Sequence, residues 1–225
     1  MAVKGSAARV IHVLSSLHVG GAERFVLDLS HVQRAKGDTV SVFACSTAKE
    51  ALFEEASAQP EDCLLSKGSR WRDYKAVLAW FKASKCKKKV FHIHTPHGVK
   101  YFILLLPFLR LYGIKIIYTR HGIAPYADKE WKIVHRWAQL FVSWVTFVSD
   151  AGKETFFRWH GWSQKILVTI SNGVFVPQDV MHQTSDKIRL GSVGRMVSLK
   201  GQAHLISAVS QLDANLRENI ELHLF

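Results

Sequence analysis

A chain of 225 residues can bury one good core and, at roughly 150 residues per domain, points to one or two domains. Its 30 lysines and arginines against 18 acidic residues leave a formal charge of +12, which favours an anionic partner: nucleic acid, an acidic membrane surface or a phosphorylated small molecule. Three cysteines without metal-type spacing suggest a reducing cytoplasmic setting. No signal peptide is visible, and the apolar run 101–109 is about half of the ~20 residues that cross a bilayer.

The segment Arg9-Val-Ile-His-Val-Leu-Ser15 is β-branched and apolar enough for a strand covered on both faces, and a strand is expected over 8–16. After Gly20-Gly21, the recurrence of Phe25, Leu29 and Val32, with Val26 beside them, predicts a helix over 22–36 with one stripe facing a core. The glycine pair thus falls at the carboxyl end of the first strand. Open α/β sheets bind ligands there through backbone N–H groups and a helix N-terminus, and absent side chains let a ligand approach the main chain. A tight turn needing positive φ is the plainer alternative.

A strand over 38–45 and helices over 48–58 and 71–84 follow. Trp71, Tyr74, Leu78 and Phe81 make a stripe on the last of these, and five lysines between 82 and 89 surround Cys86. That pattern suits docking on an anionic leaflet, or a core-facing stripe ended by a solvated charge run. In "HIHTPHG" (92–98) the next strand, 90–95, carries His92 and His94 on one face. An H-x-H pair can bind zinc but needs a third ligand from elsewhere, so these are read as core or cleft histidines and no metal site is assigned.

A helix over 98–111 leads to a strand over 114–120 that ends in Arg120-His121-Gly122. A histidine leaving a strand into a crevice can hydrogen-bond a sugar or phosphate, or simply hold a turn. Helices over 128–142 and 150–159 flank a strand over 145–149, and the aromatic, basic segments 135–144 and 156–162 favour membrane contact. After a strand over 166–170, Asn172-Gly173 suits a turn or hinge with positive φ. Residues 176–187 read as a linker.

A fresh unit then begins: a strand over 188–194, a helix over 200–211 and a strand over 220–225. Gly194-Arg195 and Lys200-Gly201 mark its turn. Arg195, Lys200 and the amides of a helix N-terminus would suit a diphosphate, the alternative being a solvated loop with two surface cations. So short a βαβ unit cannot cover both faces of its strands: it either adds to the first sheet or, the favoured expectation, is the start of a second domain whose remainder is missing.

Alternating strands and helices predict an α/β fold with a doubly wound parallel sheet. Its divisions are a first Rossmann-like domain at 1–175, the linker at 176–187 and an incomplete second domain at 188–225. No G-x-x-x-x-G-K-[ST] occurs, which removes a P-loop nucleotidase. No G-x-G-x-x-G supports a dehydrogenase, and no D-x-D offers carboxylates to a metal on a diphosphate.

The ordered series "HVGGAERFVLDLS", "VFHIHTPHG", "YTRHG", "FVSDAGKETF", "ISNGV" and "GSVGRMVSLKGQAHLISAV" resembles the retaining GT-B glycosyltransferases of family 4. The resemblance implies two Rossmann-like domains facing across a cleft, the first for the acceptor and the second for a nucleoside diphosphate sugar. Gly20 and Gly21 would line that cleft with His94, and His121 would contact the transferred sugar. Arg195 and Lys200, with Gly194 beside them, would neutralise the leaving diphosphate without a metal or other cofactor. Asn172 and Gly173 would lie at the crossing between domains.

The implied partners are a nucleotide sugar, a glycan or lipid-linked acceptor of envelope polysaccharide or lipopolysaccharide synthesis, and an anionic membrane surface, with no nucleic acid. The implied location is the cytoplasm, peripheral on the inner face of the membrane. The family also carries two glutamates late in the second domain, and the chain ends before them. The expectation is therefore a truncated product that is inactive and poorly soluble alone. The alternative function is a remnant that binds acceptor or membrane without chemistry.

Overall fold

The computed structural model describes residues 7–57, 63–124, 126, 128–174, 185–194 and 196–225. The chain divides into two compact units, Met1–Val174 and Phe175–Phe225. In the first unit β1 (Ala8–Leu14), α1 (Gly21–Ala35), β2 (Thr39–Ala44), α2 (Phe53–Ala56), β3 (Cys63–Leu65), α3 (Arg70–Lys82) and β4 (Lys88–Ile93) lead to a helix pair, α4 (Pro96–Phe102) and α5 (Leu106–Leu111). Then come β5 (Lys115–Arg120), α6 (Lys129–Ala138), β6 (Trp144–Phe147), α7 (Asp150–His160) and β7 (Leu167–Thr169). All seven strands are parallel, in the order β3-β2-β1-β4-β5-β6-β7. This is the doubly wound, Rossmann-like arrangement, and the strand order reverses between β1 and β4.

The period of two along β1 divides its side chains between two packed layers. Ile11 and Val13 join Phe43, Phe91, Ile93 and Tyr118 in the larger core, where Tyr74, Val77 and Phe81 of α3 and Phe102 of α4 meet them. Leu14 faces the other way, onto Val26 and Leu27 of α1 with Val42 and Ala44 of β2. Burial of such side chains contributes about 1.5–3 kcal/mol each, so both layers are needed to hold the central strands. On α1 the buried face is Val26, Leu27 and Ser30, while Phe25, Leu29 and Val32 are only half-buried. The stripe is thus rotated from the one read off the sequence.

Other differences have local causes. The expected helix over 98–111 is two helices, because Pro107 near the start of α5 has no N–H to give the preceding turn. The expected helix over 48–58 shrinks to α2. Its leading residues are drawn onto the β1–α1 loop instead, where Leu52 N–H donates to the Leu17 carbonyl and Leu17 N–H donates to the Glu50 carboxylate. Strand β3 has three residues and shows no periodicity to read. On α3, Tyr74 and Phe81 are buried and Leu78 half-buried, so that stripe faces the core and only Trp71 is exposed.

The second unit pairs β8 (Ile188–Ser192) with β9 (Ile220–Leu224) in parallel, connected through a short 3-10 turn (Ser198–Lys200), α8 (Gln202–Ser210) and α9 (Ala214–Glu218). Among its described residues only Gln202 is buried, and Ile188, Ile206, Leu216 and Phe225 are exposed.

Candidate functional site

The crevice where the strand order reverses is built from the carboxyl ends of β1, β4 and β5. Ser15, just past β1, donates its hydroxyl to Thr95 Oγ1 at 2.7 Å. Thr95 caps α4, accepting from Gly98 N–H at 3.0 Å, and Pro96 follows it in the first turn. The β1–α1 loop is pinned by Glu50, which also meets His18 Nε2 at 3.2 Å.

Gly20 and Gly21 end that loop. Gly20 is extended, with φ −164°, and neither glycine has positive φ, so the strained-turn reading of the pair is not what the backbone adopts. Gly21 is exposed and a Cβ there would meet nothing within 4 Å. The N-cap of α1 is Gly20 itself, and the Glu23 side chain folds back so that its carboxylate stands where a Cβ on Gly20 would lie. The space beside Gly21 is therefore open, while Gly20 is covered by the Glu23 carboxylate, whose negative charge answers the N-terminus of α1.

Beneath this rim lies a row of histidines. His12 of β1 is the register partner of His92 on β4, so His12, His92 and His94 share the face that looks toward α1. His12 Nε2 meets Gln33 Oε1 at 2.7 Å, His12 Nδ1 meets His94 Nε2 at 2.8 Å, and His94 Nδ1 meets His121 Nε2 at 3.1 Å. His92 Nε2 is joined to Thr119 Oγ1 at 2.7 Å. Phe25, one turn into α1 from Gly21, lies edge-on to the His121 ring at 5.4 Å. His94 and His121 stack with centroids 5.4 Å apart.

Burial holds these imidazoles neutral. It lowers His12 to about 4, with Arg34 adding to the effect, and lowers His121 to about 4. His92 and His94 are pushed well below the ordinary histidine value, chiefly by burial and further by the neighbouring His12 and His121. His121 Nδ1 is buried and has no hydrogen-bond partner.

Neutral imidazoles can hold a metal. His12, His92 and His94 each offer a ring nitrogen, all within 4.8 Å of one another, and they are the one such group among the described residues. Both nitrogens of His12 and of His94 are already engaged in hydrogen bonds, however, and no carboxylate belongs to the group. The residues fit a hydrogen-bonded chain better than a metal centre.

Of the residues singled out by sequence, the first unit brings Gly20, Gly21, His94 and His121 to one crevice. Asn172 and Gly173 are exposed at the end of this unit, and neither adopts the expected positive φ. Gly194 and Lys200 lie in the second unit. Gly194 has φ 156°, its carbonyl accepts from Gln202 Nε2 at 3.2 Å, and Lys200 is exposed beside Gly201 at φ 71°. Arg195 lies outside the described residues. Sequence reasoning missed Ser15, Thr95, His12 and Gln33. The alternation of His12 with Ile11 and Val13 could have flagged one of them, but its partners become visible only with the strand register.

A profile described as Glycosyltransferase Family 4 matches residues 19–176, more than half of the chain. No curated protein sequence matches. Among solved structures, a glycosyltransferase from Rickettsia africae is similar at a TM-score of 0.73 with 16% identity, over 98% of this chain and 69% of that one. Anabaena Alr3699/HepE in complex with UDP-glucose is similar at 0.68 with 17% identity, over 96% of this chain and 60% of that one. The lipopolysaccharide outer core galactosyltransferase WaaB in its apo form is similar at 0.58 with 13% identity, over 96% and 60%. The chain thus spans about 60% of the length of the Anabaena protein. These likenesses establish the GT-B fold, and the profile match establishes the family: the chain belongs to glycosyltransferase family 4.

Proposed function

We propose that the chain carries the acceptor side of a retaining glycosyltransferase. This enzyme moves a sugar from a nucleoside diphosphate sugar to a glycan or lipid-linked acceptor in envelope polysaccharide or lipopolysaccharide synthesis. The observation that carries the reading is the crevice at the β1/β4 reversal, where the glycine pair that opens α1 and the unpaired His121 Nδ1 stand at one edge of the sheet. The open side of Gly21 lets a ligand approach the main chain, and the imidazole nitrogen suits a sugar hydroxyl. The family match and the UDP-glucose held by the Anabaena structure support that donor class.

In this mechanism, breaking the anomeric C–O bond builds negative charge on the leaving diphosphate. Lys200 and Arg195 stabilise that charge electrostatically, in place of a metal. His121 orients the sugar, and the hydroxyl of the acceptor enters from the side of Gly20 and Gly21. Asn172 and Gly173 belong to the crossing between domains. The test is incubation of the protein expressed from its gene with a panel of radiolabelled nucleoside diphosphate sugars, membrane-extracted acceptors and EDTA. Transfer with the donor's anomeric configuration retained supports the reading, and hydrolysis or transfer with inversion contradicts it.

A second reading, a module that docks on membrane or acceptor without chemistry, is favoured by one surface. Lys132 and Arg136 of α6 line a groove with Gln139, Trp159 and His160, and Ile133, Trp137 and Leu140 are exposed on and just past the same helix. Lys132 Nζ lies 5.8 Å over the Trp159 ring. Aromatic rings beside cations suit the inner, anionic leaflet of the cytoplasmic membrane better than nucleic acid. Membrane docking is compatible with either reading. Donor turnover separates them.

A further inference from the structure

The row of imidazoles has a direction. The carbonyl oxygen of Gln33 can only accept, so His12 Nε2, 2.7 Å away, must carry the proton. A neutral His12 then has a bare Nδ1, and the nitrogen opposite it at 2.8 Å, His94 Nε2, must donate. A neutral His94 in turn has a bare Nδ1, so His121 Nε2 donates to it at 3.1 Å. His121 is left with a lone pair on Nδ1, the buried nitrogen without a partner. Each ring has one proton and one lone pair, and every choice follows from the one before.

We infer that Gln33 is a positioning residue which, through His12 and His94, fixes His121 as the Nε2–H tautomer and so presents the bare Nδ1 to a hydroxyl of the substrate. His121 then accepts a hydrogen bond from a sugar O–H and cannot donate one from Nδ1 to a phosphate or carboxylate oxygen. The assignment of the hydroxyl as a sugar's rests on the transferase reading; the tautomer itself does not.

Two features of the surroundings keep the chain in one register. His12 is fully buried and His94 nearly so, which removes water as a competing donor or acceptor. Burial also disfavours the imidazolium form, which would turn a ring into a double donor and break the sequence at that point. His92 stands beside the row but is bonded to Thr119 and does not interrupt it.

The test is long-range 1H–15N correlation spectroscopy of the full chain labelled with 15N-histidine, at pH 7.5 and without substrate. The expected result is a protonated Nε2 and an unprotonated Nδ1 for His12, His94 and His121. A His121 protonated on Nδ1 in the unaltered protein overturns the inference whatever the variants do. Gln33→Leu, which removes the acceptor, is expected to leave His121 averaged between tautomers and to reduce kcat/KM for transfer about tenfold. A Gln33→Leu protein with folded spectra and an unchanged His121 tautomer also overturns it. Should the tautomers be as expected while no sugar is transferred, the transferase reading fails and the relay stands.

Discussion

Ser15 and Thr95, eighty positions apart in sequence, join their hydroxyls at 2.7 Å across the gap between β1 and β4. Thr95 at the same time caps α4 through Gly98 N–H. One side chain thus ties the two loops that leave the reversal point and sets the start of a helix beneath them. Gly98 has to be small for this, since a Cβ there would come within 2.8 Å of Ile93 Cγ2 and 3.2 Å of Thr95 Oγ1.

Thr95→Val removes both hydrogen bonds while keeping the shape, and is expected to cost about 1–2 kcal/mol, the usual loss for a helix cap, with a lower Tm. Thr95→Ser is expected to recover most of it. Thermal melts of the two variants beside the unaltered chain check this.

Acid is expected to weaken the fold from a higher pH than carboxylate titration alone would cause. His12 and His121 are lowered to about 4, His135 to about 3, and His92 and His94 lie well below the ordinary value, in each case chiefly by burial. Between pH 6.5 and about 4 the unfolded chain therefore binds protons that the folded chain refuses, so stability is full above pH 6.5 and falls as pH drops through that window. Each such histidine contributes a slope of about 1.4 kcal/mol per pH unit. Urea midpoints measured from pH 7.5 to 4.5 should fall steeply below 6.5. A flat profile there would show that the row is hydrated and titrates normally.

Lys200→Ala is expected to lower kcat for sugar transfer by about 10²–10³-fold with a smaller change in KM, if its charge is felt mainly by the departing diphosphate. Steady-state kinetics with the donor varied separates the two constants. An equal loss in binding and turnover would make Lys200 a ground-state contact instead.

Lys132→Glu and Arg136→Glu should each weaken binding to vesicles containing phosphatidylglycerol, by about fivefold for roughly 1 kcal/mol per cation lost near an anionic surface. Added salt should narrow the difference. Trp137→Ala should weaken binding to a degree that salt does not alter. Sedimentation with vesicles reads all three, and unchanged binding would remove the α6 surface from the account.

Much of the first unit was legible because its strands are β-branched runs separated by helices of ordinary length. What could not be read were elements too short for a period to show, β3 and α9, and the break between α4 and α5, where an apolar run concealed the effect of Pro107. The site divides in the same way. His94, His121 and the glycine pair stand at strand ends, where position alone marks them. His12 and Gln33 sit inside a strand and a helix and gain their role only through the register of β1 on β4 and the packing of α1 over it.

The most direct test compares sugar transfer by the protein expressed from its gene with that by its His121→Ala variant, using the exposed Phe108→Ala change as a control. The account expects His121→Ala to lose about ten- to a hundredfold in kcat/KM, the worth of a hydrogen bond of about 1.4–2.7 kcal/mol, with Phe108→Ala near normal. Transfer that proceeds equally well without the imidazole would contradict it and move the reacting sugar away from this crevice.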